Sequence, residues 1–300
     1  MKRFLIGCAL ATTLTALAGA ADDAATLLNK ALDELTRTGY VGDTSTPQRY
    51  LQAVLELEPD NVEAHWQLLY MNSLGLIDMP LSKRAGALAA LSPEFGRVSA
   101  LAKKNKQEGL MHLINALHAG YYNAFDRALP EIDRAVAADP ESVRFLTWKG
   151  RLMCRAGKWS KDNGLAEKGI EALEKARLLA QAHPSVYVRE ASFDFYLAEA
   201  HSNLSPPRWG EVVAHYERFL EKAPLSTATA LAWSNLSVAY RRSGTCDKAR
   251  DAADKALAIM DFGNARQAKQ LAEFCVEMAK DGAAQTQANA ATATTSPAGK

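Results

Sequence analysis

The sequence lacks an excess of charge of either sign. Its 300 residues include 35 Lys and Arg against 34 Asp and Glu, a net charge of +1. Removal of Lys2 and Arg3 with the N-terminal segment would leave 33 basic against 34 acidic residues, a net charge of −1. Proteins that bind nucleic acid usually carry a strong basic excess. The balance therefore argues against nucleic acid as the main partner.

Long apolar runs are absent from the chain after its N-terminal segment. No run there approaches the ~20 residues that a membrane span needs. In residues 1–20, two basic residues precede an uncharged apolar run over 4–17, and Ala18-Gly19-Ala20 follows as a small-residue cleavage site. This pattern is typical of a secretory signal peptide. It predicts a mature chain that starts at Ala21, is periplasmic or secreted, and has no stable membrane insertion. An uncleaved N-terminal anchor is the alternative.

Cysteine is scarce and has no metal-binding spacing. Cys8 would leave with the signal peptide, and Cys154, Cys246 and Cys275 would remain. No Cys-x-x-Cys occurs, so neither a zinc ribbon nor a thioredoxin-like motif is supported. In an oxidising compartment an odd number favours one disulfide and one free thiol. The alternative is that all three are buried thiols.

Motifs for catalysis or cofactor binding are also missing. There is no Gly-x-Gly-x-x-Gly, no Walker loop and no Gly-x-Ser-x-Gly. None of the six His residues pairs with another at i, i+4 on one helix, so no helical zinc pair is expected. The sequence predicts a protein without enzymatic activity, cofactor or metal.

The sequence does contain a continuous helical pattern from residue 22 to about 280. It is rich in Ala, Leu, Glu and Lys and has no alternating β-branched runs. Prolines follow several of the apolar-periodic segments, at Pro59, Pro140, Pro184 and Pro224. Ser92-Pro93 is interpreted instead as a helix start, with Ser as N-cap and Pro in the first helical position. The spacing from Pro59 to Pro93 is 34 residues, and the later spacings are longer.

One stretch, 230–258, has a recognisable repeat pattern. Trp233, Leu236, Ser237 and Tyr240 match a Trp-x2-Leu-Gly-x2-Tyr helix with Ser in place of Gly. Gly244 then supplies a turn. The second helix has three small residues at packing positions: Ala249, Ala253 and Ala256.

This stretch resembles a tetratricopeptide repeat (TPR), and weaker matches by spacing extend over residues 24–280. Two further units keep the packing positions, one at Ala116, Ala128 and Ala135, the other at Ala200, Val212, Tyr216 and Phe219. The resemblance implies an all-α, right-handed superhelical solenoid of antiparallel helix pairs over residues 21–280. About six pairs are expected, with a capping helix at 264–280.

Two segments depart from the repeat. An extra helix is expected at about 93–104, and residues 158–168 are expected to form an insertion between two helices of a pair, where such arrays often recognise partners. Residues 281–300 contain no Leu, Ile, Val or aromatic residue. They cannot bury apolar area to offset the entropy of ordering, so a disordered tail is expected.

A basic stripe is the candidate partner-binding site. Arg144, Trp148, Arg151 and Arg155 share an arc of about 60° on one helix. The resemblance implies that this helix lines the concave groove, as does the helix that ends at Arg241 and Arg242. The functional interpretation is a groove for a carboxylate or another anion. The alternative is a solvated helix face with ordinary ion pairs.

Two functions follow from the resemblance. The first is a periplasmic scaffold whose groove holds a protein or peptide partner, including an anionic one, in envelope assembly or transport. The second is the small-ligand-binding TPR component of a TRAP-type transporter, which needs apolar groove positions. Four apolar residues at groove-like positions favour the second: Leu110, Leu113, Ile114 and Leu117.

The repeat register also implies a disulfide pairing. It places Cys246 in the turn of the last full repeat and Cys275 near the end of the next helix, at the same edge of the solenoid. Cys154 lies several helices away. The expected disulfide is therefore Cys246–Cys275, with Cys154 reduced, unless all three remain buried thiols.

Overall fold

The structure, a computed structural model, describes residues 22–38, 45–74, 81–183, 188–223 and 227–294. The predicted signal peptide and two of the prolines, Pro184 and Pro224, lie outside these ranges. Within them the chain forms thirteen α-helices and no strand. The helices are α1 Ala24–Thr38, α2 Ser45–Leu57, α3 Val62–Leu74, α4 Leu81–Lys104, α5 Glu108–Tyr121, α6 Phe125–Ala138, α7 Val143–Ser160, α8 Asn163–Ala182, α9 Glu190–Ser202, α10 Trp209–Lys222, α11 Thr227–Arg242, α12 Cys246–Ile259 and α13 Gly263–Thr294.

Successive helices pack as six pairs, from α1/α2 to α11/α12, and α13 packs on α11 and α12. First helices of neighbouring pairs also touch, as α5 does with α7 and α7 with α9. This stacking is the arrangement of a helical solenoid, in which one helix of each pair faces inward. The predicted all-α solenoid of helix pairs is confirmed.

Short turns separate the helices of a pair, and several use a left-handed residue. The α5/α6 turn has Asn123 at φ 56°, the α7/α8 turn has Lys161 at φ 57°, and the α11/α12 turn has Gly244 at φ 77°. Glycine adopts this region at little cost, which explains its place in the best-matching repeat. Asp162 then caps α8 by accepting a hydrogen bond from the Leu165 amide at 3.1 Å.

Small residues at the predicted packing positions are all inaccessible to solvent. These residues are Ala116, Ala128, Ala135, Ala249, Ala253 and Ala256. They let paired helices approach closely, while large side chains from neighbouring pairs fill the remaining space. The core is accordingly a row of clusters along the solenoid, the largest of which joins α3 to α7 around Trp66, Phe95 and Ile114.

Three predicted boundaries were wrong. Ser92-Pro93 does not start a helix but lies inside α4, which is the second helix of its pair. Proline costs an interior hydrogen bond, and the helix nevertheless continues through Pro93. The adjacent Ser92 hydroxyl bonds the Leu88 carbonyl at 3.0 Å and meets the hydroxyl of Tyr122, the residue after α5, at 2.9 Å. Residues 158–168 are not a loop: they end α7 and begin α8, which are both long.

The C-terminal helix is the third difference. The sequence predicted that it would end at Lys280 before a disordered tail, whereas α13 continues to Thr294. Residues 283–294 are Ala, Gln, Thr and Asn, and the first proline after them is Pro297. Alanine has the highest helix propensity, so the backbone can stay helical without burying apolar area. Residues 295–300 lie outside the described chain.

None of the helices in the described ranges combines the length and the apolar character needed to cross a membrane.

Candidate functional site

The candidate site is a cavity of about 430 Å³ on the inner side of the solenoid. Residues of α5, α7, α9 and α11 line it, together with parts of α8 and α10. Five of its lining residues are aromatic: Tyr121, Trp148, Tyr196, Trp209 and Tyr216.

The charged residues of the cavity are mostly basic. Arg151, Arg155 and Lys158 of α7 lie on one wall, and Glu199 of α9 is the acidic residue among the described lining side chains. The basic stripe on α7 thus reaches one turn further than the sequence prediction, to Lys158. Lys158 follows Arg144 by 14 residues, a spacing that places both on the same helical face. The spacing alone could therefore have identified Lys158.

Arg151 is fixed between two aromatic rings. Its guanidinium carbon lies 4.4 Å from the ring centre of Trp148 and 4.4 Å from that of Tyr196. Cation–π contacts of this kind are strongest where water is excluded. Burial alone would lower the pKa of Arg151, but Tyr196 and Tyr70 outweigh it and raise the pKa. The guanidinium therefore remains a fixed positive charge at the cavity wall.

Lys158 is less constrained than Arg151. It is exposed, and it makes no ion pair within the ranges that the structure describes. Lys158 can therefore reorient toward an anion that enters the cavity. Between the two, Arg155 donates a long hydrogen bond of 3.4 Å to the Asn123 side chain and lies over Phe125 at 5.9 Å.

Tyrosines close the cavity on the side of α9 and α10. Tyr216 is buried, and its hydroxyl accepts a hydrogen bond from the Asn235 amide at 3.0 Å. Burial raises the pKa of Tyr216 above its ordinary value, so the phenol stays neutral at physiological pH. On this side of the cavity Glu199 of α9 is therefore the charged group, and the tyrosines add neutral polar ones.

Arg144 does not line this cavity. Its side chain is buried and pairs with Glu63 of α3 at 2.8 Å, a contact across 81 residues of sequence. The structure thus places Arg144 apart from the other members of the basic stripe, where its side chain joins α7 to α3. Trp148 has both roles, since it lines the cavity and packs edge-on against Tyr70 at 5.5 Å between ring centres.

Arg241 and Arg242 also lie away from the cavity, in the last turn of α11. Cations at a helix C-terminus interact favourably with the helix dipole, which is a sufficient structural reason for both. Of the six predicted partner-binding residues, the structure brings together Trp148, Arg151 and Arg155 around the cavity.

The apolar residues that favoured a ligand carrier have a different role. Leu110, Leu113 and Ile114 of α5 are buried in the helix-packing core, and only Leu117 of this group reaches the cavity. Their apolar character is explained by packing and does not indicate an apolar groove. Sequence periodicity could not separate the two, because both the core face and the inner face of such a helix can be apolar.

Two of the cysteines form the disulfide that the repeat register implied, and a third is a free thiol. Cys246 and Cys275 form a disulfide with 5.5 Å between their Cα atoms, and it joins the start of α12 to α13. Cys154 is a buried free thiol beside the cavity. Burial raises the pKa of the Cys154 thiol to about 12, so a nucleophilic thiolate is not expected there.

No family model and no curated protein matches this chain. Several solved structures share its fold. The crystal structure of the APC/C hetero-tetramer Cut9–Hcn1 has a TM-score of 0.57 at 15% identity, over 83% of this chain and 43% of that one. The crystal structure of yeast Tom70 has a TM-score of 0.53 at 16% identity, over 86% and 48%. This chain therefore spans less than half of either structure.

A third structure, of YrrB, is described as a TPR protein with an unusual peptide-binding site. It has a TM-score of 0.42 at 15% identity, over 73% of this chain and 97% of that one. The likeness to YrrB does not carry the fold assignment. The assignment depends on the helix pairs, on the repeat at 230–258 and on the likeness to the Cut9 and Tom70 structures. This chain is a helical solenoid of the tetratricopeptide-repeat type.

Proposed function

We propose that this protein is a periplasmic interaction scaffold that holds a peptide segment of a protein partner on the inner face of the solenoid. The segment presents a carboxylate to Arg155 and Lys158. The observation that carries the proposal is the aromatic cavity of about 430 Å³ with three basic side chains on one wall. The proposed role is binding, without a catalytic step.

The chemistry of the wall favours a carboxylate with an apolar neighbour. Charge-assisted hydrogen bonds from guanidinium and ammonium groups to a carboxylate are about twice as strong as neutral ones. Arg151 is already held by Trp148 and Tyr196, so little side-chain entropy is lost when an anion approaches. The aromatic rings of Trp209 and Tyr216 offer a surface for an apolar side chain beside the carboxylate.

The periplasmic location in this proposal depends on the signal-peptide pattern of residues 1–20. The disulfide Cys246–Cys275 supports it, because disulfides persist in oxidising compartments. In cells that express the full chain, the periplasmic form is expected to begin at Ala21. N-terminal sequencing of the periplasmic fraction checks this, and a chain that begins at Met1 would contradict the cleavage.

A selection with displayed peptides tests the binding proposal. A random hexapeptide pool with free C-termini is selected on the purified protein, and the affinities of enriched peptides are measured by fluorescence anisotropy. Enrichment of Asp or Glu is expected or, where the C-terminal carboxylate is the group bound, a loss of affinity when the enriched peptide is amidated. Lys158→Glu should weaken binding at least tenfold, because it places a like charge beside the peptide carboxylate.

The matched control is Lys168→Glu, an exposed lysine of α8 that does not line the cavity. It changes the net charge equally and should leave peptide affinity unchanged. Equal losses from both variants would mean that only long-range attraction is involved. Failure to enrich any peptide, or full affinity in Lys158→Glu, would contradict the proposal.

A small-ligand carrier is the second candidate, since the cavity volume lies in the usual range for small-molecule sites, about 300–1,000 Å³. Native mass spectrometry of protein purified from its own periplasm distinguishes the two. A bound small acid that Lys158→Glu loses, together with no peptide selection, would favour the carrier.

A further inference from the structure

A second group of side chains lies between α9 and α10. The imidazoles of His201 and His215 and the carboxylate of Glu211 each place a ligand atom within 4.8 Å of the other two. The two imidazole rings stack with 5.5 Å between their centres. Two imidazoles and one carboxylate form a ligand set that zinc uses in proteins.

The local fold explains why these residues meet. Glu211 and His215 are four residues apart on α10 and therefore lie on one face. His201 lies in the last turn of α9, and the short connection to α10 folds it back onto that face. The sequence prediction of no metal site considered only pairs of His on one helix, so it did not consider a Glu–His pair completed from the preceding helix.

His215 also has the outer contact that metal-binding histidines usually have. Its Nδ1 lies 2.9 Å from the buried carboxylate of Asp194, to which Arg218 Nε also donates at 3.1 Å. With the proton on Nδ1, the other ring nitrogen, Nε2, has its lone pair available for a metal.

Arg218 makes a contact that favours the other tautomer. Its terminal nitrogen lies 2.7 Å from His215 Nδ1, which could accept a hydrogen bond only if the proton were on Nε2. The Asp194 carboxylate can only accept, so its 2.9 Å contact with His215 Nδ1 is a hydrogen bond only when that nitrogen carries the proton. Arg218 keeps its bond to Asp194 through Nε in that tautomer. This tautomer leaves Nε2 of His215 available for a metal.

His201 and Glu211 lack partners of their own. His201 is buried, and within the described chain its Nδ1 has no hydrogen-bond partner. An unsatisfied buried polar atom of this kind is uncommon and calls for an explanation. Glu211 is exposed, and its carboxylate makes no hydrogen bond or ion pair with any residue that the structure describes.

The charge around the group does not oppose a cation. Arg208 pairs with Glu167, and Arg218 pairs with Asp194, so both nearby guanidinium groups have a carboxylate of their own.

We propose that His201, Glu211 and His215 form a Zn²⁺ site that clips α9 to α10, with a fourth position open to water beside the exposed Glu211. Ligands around zinc at 2.0–2.2 Å lie about 3.4 Å apart in tetrahedral geometry. The exposed Glu211 side chain can close this distance by a rotamer change. None of the three ligands lines the cavity, so the zinc proposal does not rest on the proposed peptide binding.

Calorimetric titration of the untagged full chain with ZnCl₂ tests the site. One Zn²⁺ per chain should bind with a dissociation constant in the micromolar range or tighter. Glu211→Gln should weaken binding at least tenfold, because it replaces the anionic ligand at an exposed position where folding is not at risk. His201→Asn should do the same, and circular dichroism verifies that this variant remains folded.

The matched control is His112→Gln, which removes a histidine that pairs with Glu131 on another helix pair. It should bind Zn²⁺ as tightly as the unmodified chain. Co²⁺ gives a second readout: the unmodified chain should show the visible absorption of tetrahedral cobalt, and Glu211→Gln should not. A chain that binds no stoichiometric Zn²⁺, or equal affinity in Glu211→Gln and His112→Gln, would overturn the proposal.

Discussion

Arg144 and Arg151 lie two turns apart on one face of α7, yet their surroundings differ. Arg144 is buried against Glu63, whereas Arg151 stacks between two rings at the cavity. The helical spacing predicted the shared face correctly. It could not predict that Glu63, 81 residues earlier, would lie opposite Arg144, because such a contact depends on how the pairs stack. Long-range packing therefore decides which residue of a stripe remains available to a partner.

The Arg151→Glu variant illustrates the consequence. From the sequence, this change is expected to affect partner binding far more than stability. In the structure Arg151 is held by Trp148 and Tyr196, so its loss removes packing as well as charge. Lys158, which is exposed, provides the cleaner test of binding.

The Arg144–Glu63 pair gives the prediction at this scale. Both side chains are about nine-tenths buried, so Arg144→Met would leave the Glu63 carboxylate without its counter-charge. Loss of one partner of a buried pair costs about 3–5 kcal/mol. We expect a fall of this size in the free energy of unfolding, measured by urea denaturation. The double variant Arg144→Met/Glu63→Leu should recover much of it.

A surface pair serves as the control for this measurement. Arg266 and Asp261 are both more than half exposed, and exposed pairs contribute little to folding. Arg266→Met should therefore leave the urea midpoint almost unchanged. If Arg144→Met behaves in the same way, the Arg144–Glu63 pair does not join α7 to α3 in solution.

At the scale of helices, α7 and α8 pack with their backbones unusually close. A Cβ atom on Gly169 would lie 2.7 Å from the Gly150 carbonyl oxygen and 2.8 Å from the Cys154 amide nitrogen. Backbone atoms cannot move away as a flexible side chain can. Two glycines thus fix the distance between these helices.

Gly169→Ala should therefore destabilise the protein although alanine is the better helix former. Overpacking of this kind costs about 1–3 kcal/mol, which exceeds the gain of about 1 kcal/mol in helix propensity. The control is Gly96→Ala in α4, where no atom lies within 4 Å of the added Cβ. That variant should melt at a higher temperature. Stabilisation by both substitutions would show that α7 and α8 can separate without penalty.

Helix boundaries show what the sequence could predict about these elements. The turn at Gly244 and the end of α6 before Pro140 were read correctly from local residues. Ser92-Pro93 has the local pattern of a helix start yet lies inside α4, where Ser92 contacts His118 of α5 and the following Tyr122. Local sequence cannot show such long-range contacts. Residues 158–168 exceed a 34-residue repeat because α7 and α8 are long, not because a loop is inserted.

The disulfide between Cys246 and Cys275 connects α12 to the last helix. It closes a segment of 29 residues, for which loop entropy gives a stabilisation of about 3.6 kcal/mol. In protein without residues 1–20, thiol labelling under denaturing, non-reducing conditions should modify one cysteine per chain, Cys154. Without denaturant Cys154 should remain unlabelled, because it is buried. Three labelled cysteines in the denatured chain would exclude the bridge.

At the scale of the whole molecule, the solenoid is a linear array in which each pair contacts its neighbours. Stability in such arrays is approximately a sum over repeats and the interfaces between them. The two ends are the exceptions, since each has a single neighbour. Here α13 covers the last pair, yet three large apolar side chains of this helix stay exposed, Leu271, Phe274 and Met278. The sequence predicted the cap from its charged residues but could not show this remaining apolar face.

Removal of residues 282–300 tests how much of α13 belongs to the folded array. This segment has no Leu, Ile, Val or aromatic residue, so it can bury little apolar area. The truncated protein should melt at the same temperature as the full chain, and circular dichroism should show the loss of the helix that extends beyond Asp281. For a protein of this size a contribution of 1 kcal/mol would lower the melting temperature by about 2–4 °C. A fall of that size would mean that the end of α13 packs against the solenoid, and an unchanged helical signal would mean that residues 282–294 are not helical in solution.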